Sequence, residues 1–171
     1  MSRIVLETAR LILRELEPAD EDALTAMFAD PDVMRWIGTG GIRTRDDARR
    51  TIERERERYT ERGWGEWATC LRATGETIGL CGLILWPDLD GVEELEVAYL
   101  LARDAWGQGY ATEAASAIRD FAMRELGRER LVSLVYHDNV ASAAVARKTG
   151  MSWEKDVAFS GVTVAMYSLR A

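Results

Sequence analysis

Two periodicities take turns along the chain. Arg10 to Leu16, RLILREL, partly alternates apolar and polar side chains, as a half-buried strand does. The acidic run from Glu17 to Asp22 then reads as a helix start, because Pro18 is tolerated in a first turn and carboxylates suit the positive end of the helix dipole. Leu24, Met27 and Phe28 share one face, and Asp30-Pro31 predicts the end of that helix. A second helix is predicted from Thr44 to Arg62, with Thr44 as N-cap and Gly63 as stop. Its apolar side carries Ala48, Ile52 and Tyr59. Its other side offers Arg50/Glu53, Arg54/Glu57 and Arg58/Glu61 as i,i+3 pairs on a solvated face.

The period then shortens. Trp64 to Leu71, Thr77 to Leu85 and Leu95 to Leu101 are apolar strand-like segments, the first two joined by the turn Ala73-Thr74-Gly75-Glu76. Gly109 to Leu126 reads as a helix closed by Gly127, Leu131 to Val135 as a buried strand, and Asn139 to Lys148 as a helix before Thr149-Gly150. Trp153 to Phe159 and Val162 to Leu169 form a hairpin around Ser160-Gly161. This order predicts one α+β domain over residues 1–171, with a mixed, mostly antiparallel sheet of about seven strands and about four helices. The one strand-helix-strand crossover makes Leu95–Leu101 and Leu131–Val135 adjacent and parallel, with a ligand expected beyond their carboxyl ends.

Composition narrows the classes. A chain of 171 residues with 47% hydrophobic and 30% charged residues can bury a core of its own. Its formal charge of −7 argues against nucleic acid, and the acidic side chains of 44–62 cancel the field that phosphate binding would need. The acidic balance suits a cationic substrate or simply keeps the protein dissolved. The longest apolar run, Ile78 to Trp86, is too short to span a bilayer, so no membrane is expected. Cys70 and Cys81 lack a C-x-x-C spacing and read as buried reduced thiols, with a cytoplasmic location.

The chemistry concentrates in DAWGQGYATEA, Asp104 to Ala114. Gly107 and Gly109 precede a helix whose first N–H groups lack internal partners, so an anion such as a diphosphate can reach them, unless the glycines serve only a tight turn. No G-x-x-x-x-G-K-[ST] string occurs, which removes nucleotide hydrolysis of the Walker type. The dinucleotide fingerprint fails at its third glycine, where Thr112 stands. The segment resembles the acyl-CoA loop Q/R-x-x-G-x-G/A of the GNAT N-acetyltransferase superfamily, with Trp106, Gly109 and Ala111 in the first, fourth and sixth places. Trp in the first place is similar to the RimJ/RimL-like branch, which reads W-G-x-G-Y-A-T-E-A. The likeness extends to R-L-x-L-R and D-P-x-V in ARLILRELEPADEDALTAMFADPDVMRWI, to E-I-G-Y at Glu96–Tyr99, and to N-x-x-S at Asn139–Ser142 with K-x-G-F at Lys148–Met151.

What this resemblance implies is direct transfer of an acetyl group from acetyl-CoA to a primary amine, either a protein N-terminus or a small molecule, without a metal. The pantetheine arm would lie where the two parallel strands splay, against the backbone of Tyr99, Leu100 and Leu101. The diphosphate would sit on Trp106, Gly107, Gln108, Gly109, Tyr110, Ala111 and Thr112. Asn139 would touch pantetheine, or act only as a helix cap. An attacking amine must first lose a proton, so a strand carboxylate is needed: Glu96 is the first candidate and Glu94, on the same face, the reserve. The superfamily's thiolate-protonating Tyr is replaced here by Ala146. Ser142, where the branch carries a Ser, takes that role or merely bonds backbone. The lone His137 reads as a loop residue near the site, and Trp36 and Trp86, in loop-like segments, are candidates to line the acceptor pocket. Acceptor choice falls to the loops Gly38–Ile42 and Trp86–Val92. The missing Tyr leaves a catalytically silent acyl-CoA-binding module as the alternative, and the resemblance leaves room for a homodimer.

Overall fold

The computed structural model describes residues 2–171. Its strands are β1 (Ile4–Glu7), β2 (Leu11–Arg14), β3 (Glu66–Leu71), β4 (Thr77–Leu89), β5 (Val92–Leu101), β6 (Arg130–Val135), β7 (Ser152–Phe159) and β8 (Val162–Arg170). Its helices are α1 (Glu21–Ala29), the single turn α2 (Pro31–Met34), α3 (Arg45–Arg62), α4 (Tyr110–Arg124) and α5 (Val140–Lys148). The strands form one sheet in the order β1-β2-β3-β4-β5-β6-β8-β7. Only β5 and β6 run parallel, as the crossover through α4 requires.

That parallel pair registers at one position, Glu96 opposite Val132. Side chains bridge the strands where main chains do not. The Ser133 hydroxyl donates to the Val97 carbonyl at 3.3 Å, and the Leu134 N–H donates to the Glu96 carboxylate at 3.1 Å. A peptide N–H that would otherwise extend the ladder is thus taken by a side chain, and the strands splay.

Helices cover both faces. On one, α4 presents Ala114, Ala115, Ile118 and Ala122, all fully buried or nearly so, and Phe121 meets Trp67 edge to face with ring centroids 5.5 Å apart. Three alanines let this helix lie close to the sheet. On the other, Leu24, Met27 and Phe28 of α1 and Ile52 and Tyr59 of α3 are buried, each large side chain contributing about 1.5–3 kcal/mol. A buried ion pair fastens α1 to the sheet: Arg14 on β2 grips both oxygens of Asp20 at 2.7 and 2.8 Å, and the Thr77 hydroxyl donates to the same carboxylate at 2.9 Å.

Several expectations need correcting. The sheet has eight strands, because Ile4–Glu7 forms an edge strand whose mixed, half-exposed pattern hid it. Asp30 ends α1 but also caps α2, its carboxylate accepting from the Asp32 N–H at 2.9 Å. Residues 86–92 are not a loop: β4 continues to Leu89 and turns at Asp90-Gly91, both at positive φ (56° and 83°), as tight hairpin turns require. Pro87, which argues against a strand, sits in the register shift between Trp86 and Leu89.

The arginines of α3 do not make the i,i+3 pairs expected. Arg45 and Arg49 reach Glu21 on α1 at 2.6 and 2.8 Å, while Arg54 and Arg58 converge on Glu55 at 3.1 and 2.8 Å. Glu55 is fully buried, on the same side as Ile52 and Tyr59. The helix ends are as expected, with the Thr44 cap and Gly63 at φ 79°. Among the described residues, no helix is long and apolar enough to cross a membrane.

Candidate active site

Two cavities meet at the splay. The first, about 400 Å³, is bounded by Tyr99, Leu100 and Leu101 at the end of β5, by the loop from Ala105 into α4, and by α5. Gly107 and Gly109 both adopt left-handed backbone, φ 73° and 82°, and Gly109 is the N-cap of α4. Among the described residues, the N–H groups of Tyr110, Ala111 and Thr112 have no backbone acceptor, so the helix start faces the cleft with free donors and a positive dipole. The loop's large side chains are occupied elsewhere. The Trp106 indole donates to the Leu101 carbonyl at 2.9 Å beneath the Arg103 guanidinium, and the Gln108 amide donates to the Asp104 carbonyl at 2.8 Å. Of the loop residues singled out from the sequence, Gln108 alone does not border the cleft.

Two contributions escaped the sequence reading. Glu113, in the first turn of α4, accepts from the Thr8 hydroxyl at 2.6 Å, the Arg10 N–H at 2.8 Å and the Arg10 guanidinium at 2.7 Å. Arg10 in turn donates to the Gln108 carbonyl at 2.9 Å and lies over the Tyr110 ring, tying the loop to the β1–β2 hairpin. Burial opposes ionisation of Glu113, but these three donors prevail and hold its carboxyl below the usual range. Lys148, at the C-terminal end of α5, brings a cation to the same cleft.

Tyr99, Asn139 and Ser142 border both cavities. The Asn139 carboxamide oxygen caps α5 by accepting from the Ser142 N–H at 3.1 Å. The Tyr99 and Ser142 hydroxyls lie 3.0 Å apart, forming a two-hydroxyl unit at the seam. Burial pushes the Tyr99 phenol up, which keeps its proton in place as a donor.

The second cavity, about 390 Å³, lies on the α1/α3 face of the sheet. Cross-strand register puts Glu66, Gly82 and Ala98 in one row over β3, β4 and β5, with Ile84 and Glu96 in the next. Gly82 is obligatory there: a Cβ would fall 2.2 Å from the Gly65 carbonyl oxygen. Small residues therefore floor the space between two carboxyl groups. The walls are aromatic, with Trp36 tilted against Tyr136 at 6.0 Å, Trp86 edge to face with Phe159 at 5.1 Å, and Phe28 beyond. The Tyr136 hydroxyl donates to the Gly38 carbonyl, securing the loop after α2.

Glu96 is buried at this floor, accepting from the Trp86 indole N–H at 2.7 Å and from Leu134 N–H. Burial pushes its carboxyl up to about 7, although both hydrogen bonds favour the ionised form. Glu66 is pushed up to about 8 by burial and then by the neighbouring Glu55 charge. Glu94 is elsewhere. Arg130 grips it at 2.8–3.0 Å and also holds Glu154, so the reserve base is absent from this cavity. Trp36 and Trp86 both line the cavity, Trp86 from a strand and not from a loop. His137 is half-exposed beside Asp156 and borders neither cavity. Cys70 and Cys81 are buried free thiols, and among the described residues no His/Cys/Asp/Glu cluster could hold a metal.

The arrangement can hold an anion on a glycine loop, lead a thin chain through a splayed sheet, and present a carboxylate and two hydroxyls where it emerges. Comparison with known proteins gives the family. Residues 10–152 match the family model described as an acetyltransferase (GNAT) domain. The chain is 31% identical over 169 residues to the uncharacterised protein YkkB of Bacillus subtilis, covering 97% of this chain and 95% of YkkB. An acetyltransferase from Agrobacterium tumefaciens superposes with a TM-score of 0.83 at 32% identity, covering 100% and 96% of the two chains. The ribosomal L7/L12 α-N-protein acetyltransferase RimL in complex with coenzyme A shares the fold, with a TM-score of 0.76 at 19% identity over 98% of each chain. A match over most of the sequence, on a sheet splayed beside a glycine loop, means that the chain belongs to the GNAT family of acetyl-CoA-dependent acyltransferases.

Proposed function

We propose that the protein is an N-acetyltransferase that takes its acetyl group from acetyl-CoA and delivers it to a primary amine by direct attack, in the cytoplasm. One observation carries the reading: Glu96 lines the second cavity beside the Tyr99–Ser142 hydroxyl pair, at the seam with the cleft that the anion-binding loop borders. In this reading Tyr99 to Leu101 and the loop from Trp106 to Thr112 hold the cofactor, with Lys148 adding charge.

The amine enters as an ammonium, and Glu96, its carboxyl balanced near neutrality, accepts one proton. The freed nitrogen lone pair then forms the C–N bond at the thioester carbonyl as the C–S bond breaks. A hydroxyl of the Tyr99–Ser142 pair donates a proton to the leaving thiolate and is reprotonated by the second proton of the former ammonium, while Glu96 returns its proton to solvent. Amide and free thiol are the products.

Titration calorimetry with acetyl-CoA and a thiol-release assay over amines and N-terminal peptides test this together. Micromolar binding with thiol released for some acceptor, and lost in Glu96→Gln, is the expected result. No binding at millimolar acetyl-CoA would remove the reading.

A further inference from the structure

The second cavity carries more charge than acetyl transfer to a plain amine needs. Arg43, Arg54 and Arg58 line it, although the whole chain is acidic at −7. Arg54 and Arg58 share the single carboxylate of Glu55. The Arg43 backbone N–H donates to the Phe28 carbonyl at 2.8 Å, but its guanidinium has no hydrogen-bond or carboxylate partner among the described residues. Its guanidinium lies over the Phe28 ring at 5.4 Å and comes within 3.4 Å of where a Gly38 side chain would begin. It is half-buried and lines the same cavity as Glu96 and Glu66.

An unpaired guanidinium beside an aromatic wall is a fork for a carboxylate, and partial burial strengthens such a bond. The opposite charge is supplied on the floor, where Glu96 can meet an ammonium group. Phe28, Trp36, Trp86 and Phe159 line the same cavity and suit an apolar side chain, and a volume of about 390 Å³ suits a molecule of amino-acid size. Resting on the transferase reading above, we infer that the acceptor is a free amino acid with an apolar side chain, its amine directed to Glu96 and its carboxylate held by Arg43. Glu66 supports the same polarity. Its carboxyl, pushed up to about 8, is mostly protonated at neutral pH, leaves the arginine charge uncancelled and can itself donate to a carboxylate.

The test compares leucine with leucinamide and phenylalanine with phenylalaninamide, pairs that match in shape and differ by the negative charge. Thiol release is followed with acetyl-CoA, and calorimetry measures binding of each compound to the protein–CoA complex. The amide carries the more easily deprotonated amine, so intrinsic reactivity runs against the expected outcome. The amino acids should show kcat/KM at least about tenfold above their amides. Arg43→Gln should bring that ratio close to one with acetyl-CoA affinity unchanged, and Arg43→Lys should restore part of it. Equal use of the pair, or preference for the amide as a peptide N-terminus would show, overturns the inference, as does a ratio that Arg43→Gln leaves intact. Binding of the acids that depends on Arg43 without thiol release would support this site while removing the transferase reading. If neither acid nor amide binds, the inference falls, and acetyl-CoA binding decides the other reading independently.

Discussion

Glu96 shows how one residue's setting determines its chemistry. A carboxyl in water ionises near 4.5; at the cavity floor burial outweighs the donors Trp86 and Leu134 and brings it to about 7. The rate of amine acetylation should therefore rise with pH through about 7 as the basic form appears, and a kcat profile measures it. Glu96→Gln should lower kcat by about 10²-fold or more and abolish that rise while acetyl-CoA binding persists, in keeping with the size of general-base effects. Trp86→Phe is more diagnostic, because it removes a donor that favours the ionised form: the rise should move to higher pH without being lost. Glu96 was a candidate base in the sequence as a carboxylate on the strand expected to face the acyl-CoA site. Its indole partner was not legible, because Pro87 suggests a loop at 86–92 and only the bulge accommodates it within β4. Glu94 looked equivalent by alternation along the strand, and only the position of Arg130 one strand away distinguishes the two.

At the scale of elements, the glycine loop and α4 behave as one anchored unit. The spacing of Gly107 and Gly109 was readable, since left-handed backbone at a helix start favours glycine. The reason for Glu113 was not, because its partners Thr8 and Arg10 lie about a hundred residues earlier. Arg10 also holds the loop through the Gln108 carbonyl, so Glu113→Gln should free the Arg10 side chain and weaken acetyl-CoA binding several-fold by calorimetry. Arg10→Ala should give a similar loss, and the double variant should lose little more than either single one, as expected when two residues act through one contact. Additive losses would mean that Glu113 and Arg10 act separately. Helix α3 gives the opposite lesson. Its charge pattern predicted local pairs, yet Glu55 turns inward because it shares a side with Ile52 and Tyr59, and it accepts from the Glu66 N–H at 3.0 Å. Helical period gave its face correctly; the charge alone suggested solvent.

Across the whole molecule, crossover handedness made the β5/β6 neighbours predictable, while the depth of their splay depends on Ser133 and Glu96 inserting between them. The opening this leaves is what buries Glu96, and burial makes the fold's stability depend on pH in a definite sense. Glu66 and Glu96 have folded pKa values of about 8 and about 7, both above the unfolded value near 4.5. Between 4.5 and those values the folded chain binds more protons than the unfolded one, so raising pH favours unfolding. Their stabilisation is fully present below 4.5 and lost as pH climbs through 7 and 8. Asp20, Asp47 and Glu154 work in the other direction, since pairing and hydrogen bonds hold each below its usual range, and their contribution is lost only as pH falls below about 4. The two windows do not overlap, which sets maximum stability at about pH 4.5. Melting temperature measured from pH 5 to 9 should therefore fall steadily in the wild type, and Glu66→Gln with Glu96→Gln should flatten the curve over that range by removing both titrating groups. A double variant whose melting temperature still falls as steeply as the wild type would show that the sheet floor does not store those protons, and would also undercut the pH at which Glu96 is expected to act.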